Sequence, residues 1–83
     1  MQKLKADLNI GQNLRTLRLS KKLTQDMLVA QIYTKFGLDI TRSNYSRFDT
    51  GELNVPISVL VALHKLYQCS YDDFFIGLDQ RFS

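Results

Sequence analysis

Apolar residues recur at helical spacing in five stretches of this chain, with short polar connections between them. In the first stretch Leu4, Leu8, Ile10, Leu14 and Leu17 fall at separations of two to four residues. Asn9 is one candidate cap for a helix starting near Ile10, and Asn13 is the alternative. Lys21 and Lys22 close that helix, where cations suit the negative end of the helix dipole. Thr24 reads as the N-cap of a second helix, with Asp26 in its first turn. Leu28, Ile32 and Phe36 then line one face, Val29 and Tyr33 widen the stripe, and Ala30 suits close packing. Gly37 is placed to close the helix.

After Leu38-Asp39-Ile40, Thr41 is a good N-cap for a third helix over 42–49. Tyr45 and Phe48 share one face of it, and Gly51 ends it by taking positive φ. Pro56 suits the first turn of a fourth helix. Its apolar face is read as Ile57, Leu60, Val61, Leu63, His64 and Leu66, extended by Tyr67. Ser70 caps a fifth helix, with Asp72 and Asp73 in its first turn and Phe74, Phe75, Ile76 and Leu78 after them. No segment reads as a strand, so the fold class expected is all-α with five short helices.

The third helix is unusual for an exposed one. Arg42, Ser43, Asn44, Ser46 and Arg47 occupy the faces that Tyr45 and Phe48 do not. All five can donate or accept hydrogen bonds, and none is acidic. Ser and Asn weaken a helix interior, so stability alone does not explain them. Arg pairs with the O6/N7 edge of guanine, Asn with adenine, and Ser with a base or a phosphate. A weak helix or turn beside Gly51 is the plainer alternative.

Composition narrows the function classes. The 83 residues are 45% hydrophobic and 23% charged, an ordinary globular balance for one small domain. No apolar run is long enough to span a membrane. The first residues lack the apolar stretch of a secretory signal. The single cysteine, Cys69, excludes an internal disulfide and a cysteine-based metal cage. His64 reads as a half-buried packing residue and Cys69 as a small apolar one. Asp72-Asp73 suits a helix N-terminus better than a metal. Gly11 and Gly37 are isolated and form no phosphate loop. No catalytic set, cofactor or metal is expected, and the chain does not read as an enzyme. The expected location is cytoplasmic.

The net charge of +3 is unevenly spread. Residues 1–47 carry nine of the eleven Lys and Arg against three acids, whereas residues 48–83 carry two against five. That asymmetry suits a polyanion on one side, although an uneven solvated surface would look the same.

The order of these pieces resembles the Cro/phage-repressor-type helix-turn-helix DNA-binding domain. The resemblance is carried by Ile10-Gly11-Gln12-Asn13-Leu14-Arg15-Thr16-Leu17-Arg18, then by Leu23-Thr24-Gln25 with Leu28 and Ala30. It continues in Ile40-Thr41-Arg42-Ser43-Asn44-Tyr45-Ser46-Arg47-Phe48-Asp49 with Gly51. Pro56, Leu60, Leu63 and the run from Ser70 to Phe75 complete it. Each piece is weak alone, and the order makes them specific. What it implies is a lambda-repressor-like five-helix bundle, one domain over 1–83 with its core at about 8–77. The implied function is a sequence-specific, double-stranded-DNA-binding transcriptional regulator of the repressor kind, bacterial or phage-type and nucleoid-associated. The third helix would lie in the major groove. Arg42, Ser43 and Arg47 would read bases. Thr24, Gln25, Thr41, Asn44 and Ser46 would meet the backbone or flanking bases. Arg18 and Asp49 would bridge the first helix to the end of the third, and Tyr45 and Phe48 would anchor it.

Four departures stand out. The connection after Ala30 is longer than usual, so the second helix extends through Phe36 and leaves Lys35 unassigned. Lys22 stands where a glycine commonly ends the first helix. Tyr45 and Phe48 are bulkier than the usual aliphatics. Asp49 is shorter than the common Glu. Among the C-terminal residues, Phe74, Phe75, Leu78 and Phe82 either complete the core or make contacts of a homodimer. The other readings kept open are an antitoxin-type regulator with an unidentified protein partner and an interaction module that kept the fold without binding DNA.

Overall fold

Local capping signals define most of the element boundaries. The computed structural model describes residues 9–78. Four α-helices, α1 (Gly11–Ser20), α2 (Gln25–Phe36), α3 (Arg42–Thr50) and α4 (Ile57–Tyr67), precede a short 3-10 helix, Tyr71–Phe75. The described residues contain no strand, so the all-α class holds. The fifth element is shorter and tighter than the expected helix. Ser70 and Asp73 form a capping box at its start, and Gly77 at φ 84° follows two residues after its end.

The two threonine caps form. Thr24 Oγ1 accepts from the Met27 amide at 3.1 Å, and Thr41 Oγ1 accepts from the Asn44 amide at 3.0 Å. Gly37 and Gly51 close α2 and α3 in the left-handed conformation. Lys22, in the place expected of a glycine, adopts that conformation too, at φ 59°. The start of α1 is different from either expected cap. Ile10 holds the cap position without a side-chain bond, and Asn9 Oδ1 accepts from the Gly11 amide at 2.9 Å. Asn13 instead ties α1 to the C-terminal segment, donating to the Phe74 and Ile76 carbonyls at 2.9 and 3.1 Å.

One apolar cluster joins every element. It contains Leu14, Leu28, Ile32, Tyr45, Phe48, Val59, Leu63, Tyr67 and Phe74. The stripe on α2 is narrower than its pattern suggested, because Tyr33 is exposed, and Ala30, expected in close packing, is exposed as well. Steps of four residues drift about 40° around a helix, so Phe36 is only half-buried after two of them. Ala30 lies on the far side from Leu28. The buried face of α4 is also shifted by about one residue from the expected one. Val59, Ala62, Leu63 and Tyr67 are inside, while Ile57, in the first turn, stays open to solvent. His64 is half-buried and stacks on Tyr71 with ring centroids 3.9 Å apart. No described helix is long and apolar enough to cross a membrane.

Phe74 is fully buried, so of the two uses left open for it, core or dimer contact, it takes the first. Its ring completes the core. Phe75 is exposed and Leu78 half-buried, and Phe82 lies outside the described residues.

Candidate nucleic-acid interface

The placement of α3 starts from its two unlike sides. Its buried residues are Tyr45, Phe48 and Asp49, and α1 and α2 pack on that side. Arg42, Ser43, Asn44 and Arg47 are exposed, and Ser46 is half-buried. At 100° per residue, Arg42, Ser46, Ser43 and Arg47 share an arc of about 140°, and Asn44 stands beyond its edge. A shallow hollow of about 430 Å³ is lined by those four residues with Gln25 and Glu52. The structure therefore brings together the three residues expected to read bases, Arg42, Ser43 and Arg47, and adds Ser46 and Gln25 to them. It does not bring Asn44, Thr24 or Thr41 into that hollow.

Thr24 and Thr41 have a dual capacity. Each hydroxyl oxygen accepts from its own helix, and the hydroxyl proton stays free to donate outward. The N-termini of α2 and α3 also carry unpaired amides and the positive end of a dipole.

Behind α3 lies a buried polar hub. Arg18 donates to Asp49 Oδ2 through Nε at 3.3 Å and Nη2 at 3.1 Å, and to the Leu23 carbonyl through Nη1 at 2.8 Å. Gln25 Nε2 donates to the same carboxylate oxygen at 3.2 Å. One carboxylate thus ties α1 and α2 to the end of α3, and the short Asp49 side chain suffices for the contact. For Gln25, expected to meet the DNA backbone, this is a second engagement that the sequence did not signal. The other carboxylate oxygen and the hydroxyls of Tyr45 and Tyr67 are buried without a well-aligned hydrogen bond. Burial, together with the nearby Tyr67 and Asp49, pushes the Tyr45 phenol far above its usual range. Burial likewise raises the Tyr67 phenol, partly opposed by its interaction with Tyr45.

Glycine sets the approach of α1 to this hub. A Cβ on Gly11 would sit 2.6 Å from the Asp49 carbonyl oxygen and 2.8 Å from that of Phe48. Both obstacles are backbone, so only glycine fits without a shift of α1 from α3.

Three residues beside the outward face of α3 were not assigned to the site from the sequence. Asp26 Oδ1 stands 3.6 Å from Arg42 Nε, both side chains being well exposed. Gln12 and Arg15 line a neighbouring hollow that shares Gln25, which continues the polar strip onto α1. The signal for Arg15 lay in its place one helical turn before the buried Arg18. That for Asp26 lay only in the tertiary approach of α2 to α3.

Among the described residues no group of three or more His, Cys, Asp and Glu could hold a metal ion. Cys69 is half-buried, and burial raises its thiol pKa, which disfavours the reactive thiolate. No protein-family model, curated protein or solved structure matches this chain.

Proposed function

We propose that this protein is a sequence-specific double-stranded-DNA-binding transcriptional regulator of the Cro/phage-repressor helix-turn-helix type, with α3 reading the major groove. The observation that carries the proposal is the outward arc of α3. Two arginines and two serines surround one hollow, and the residues behind them are locked into the core. Bases in the major groove offer acceptors to Arg42 and Arg47 and both kinds of partner to Ser43 and Ser46. The capped N-terminus of α2 supplies amides and the Thr24 hydroxyl for a phosphate. Thr41 and Asn44, just outside the arc, fit contacts to the backbone or flanking bases. The positive balance of the chain's first half favours the same partner.

The test is selection from a random double-stranded DNA pool at moderate salt. An enriched motif is expected, and an inverted repeat would identify a homodimer. Arg42→Ala and Arg47→Ala should each cost about 1–3 kcal/mol of specific binding and relax one position. Neither should change folding stability by more than about 0.5 kcal/mol, because both side chains are at the surface. If both variants bind the selected DNA as the parent does, the assignment of α3 as the reading helix is wrong. Folded protein that enriches nothing would favour an interaction module or an obligate protein partner.

A further inference from the structure

We infer that Asp26 is a specificity-determining residue that holds the Arg42 guanidinium in position to read guanine. The inference rests on the DNA-reading function proposed above and adds a residue from α2 to the reading unit of α3. Arg42 faces Asp26 through Nε, at 3.6 Å from Oδ1. The terminal nitrogens, Nη1 and Nη2, remain as a planar fork, the group that pairs with guanine O6 and N7. Both partners are fixed at their bases by helix starts. Asp26 follows Thr24 by two residues and Arg42 follows Thr41 by one, and each threonine caps its own helix.

The consequence of this pair lies in orientation. An exposed ion pair adds little to folding. A carboxylate at a DNA surface also repels phosphates, so an acid there weakens binding to every sequence alike unless it has a compensating use. Aligning a flexible arginine is such a use, because less conformational freedom is then lost when the fork meets its base. Desolvation at the groove would strengthen the charge contact. Arg47 offers the internal comparison. It lines the same hollow as Arg42, yet it has no ion-pair partner among the described residues. Asp26 therefore makes the two arginines unequal, Arg42 aimed and Arg47 free to settle on a base or a phosphate.

The experiment uses the full chain and an oligonucleotide duplex carrying the selected motif, with each base pair replaced in turn. For the parent protein, one G·C pair should depend on Arg42, shown by loss of that preference in Arg42→Ala. Asp26→Asn should reduce discrimination at that same pair by about fivefold or more, within the range of one bidentate contact. Preferences at the other positions should stay as they are, and overall affinity for unrelated DNA should rise slightly through lost repulsion. In the double variant Asp26→Asn/Arg42→Ala, discrimination at that pair should fall no further than in Arg42→Ala. An unchanged preference profile in folded Asp26→Asn, whatever the overall affinity, overturns the role of Asp26 and leaves the DNA-reading function intact. If the parent selects no motif at all, the DNA-reading function fails and the inference goes with it.

Discussion

The inward and outward sides of α3 were built to opposite requirements. Inward, Tyr45 and Phe48 meet edge to face with ring centroids 6.0 Å apart, and Asp49 receives Arg18 and Gln25. These buried side chains belong to the apolar core or to its polar hub. Outward, Arg42 makes a charge contact with Asp26, and Ser43 and Arg47 are open to solvent. The inner side fixes position, and the outer side keeps hydrogen-bonding capacity unspent. A surface that must bind something polar is useful only if its backbone does not move, so the rigidity of one side serves the other.

The comparison breaks most readily at the hub. Asp49→Ala leaves the buried Arg18 guanidinium without its counter-ion. The expected loss is about 3–5 kcal/mol, as for other severed buried pairs. Urea denaturation would measure it. A loss below about 1 kcal/mol would mean that the carboxylate does not anchor α3.

High pH attacks the same side through its phenols. The folded pKa values of Tyr45 and Tyr67 are both raised above the ordinary value of 10.0. A raised folded pKa means that the unfolded chain releases the proton first. The stabilising contribution is complete below about pH 10 and is lost as pH rises beyond it. Two protons released on unfolding give a slope of about 2.7 kcal/mol per pH unit above that point. Following tyrosinate absorbance together with helical ellipticity should show both phenols ionising only as the helices unfold. Ionisation of all the tyrosines in a still-helical protein would place both of these phenols in water.

What could be read from the sequence follows the range of each interaction. Thr24, Thr41, Gly37 and Gly51 mark helix ends because capping is settled within a few residues. The outward set on α3 was legible because its composition departs from that of a stable exposed helix. The Arg18–Asp49 bridge was expected only through a family resemblance, because the two residues are 31 positions apart. Tyr67 gave no sign that its hydroxyl would share a buried site with Asp49 and Tyr45, since that depends on where tertiary packing places α4. Apolar periodicity on α4 misjudged the buried face for a similar reason. A helix apolar on most sides does not say which side the other elements will cover.

Gly11 was read as isolated, and the structure sets it directly against the backbone at the end of α3. It offers the subtlest separation of the two sides of α3. Gly11→Ala favours α1 as an isolated helix, by up to about 1 kcal/mol. It also drives a methyl group into the Asp49 and Phe48 carbonyls at 2.6 and 2.8 Å, contacts that backbone cannot relieve by rotating a side chain. Overpacking of this kind costs about 1–3 kcal/mol, so the net effect should be a modest loss of stability. The informative quantity is the accompanying change in DNA binding by the folded fraction. Relief of the clash requires α1 to move away from the end of α3, which shifts Arg18 against Asp49 and with it the tilt of the outward face of α3. Weaker discrimination among sequences, with an unchanged salt slope, would show that the inner side sets the pose of the outer one. Lower stability with unaltered discrimination would show that the two sides of α3 act independently.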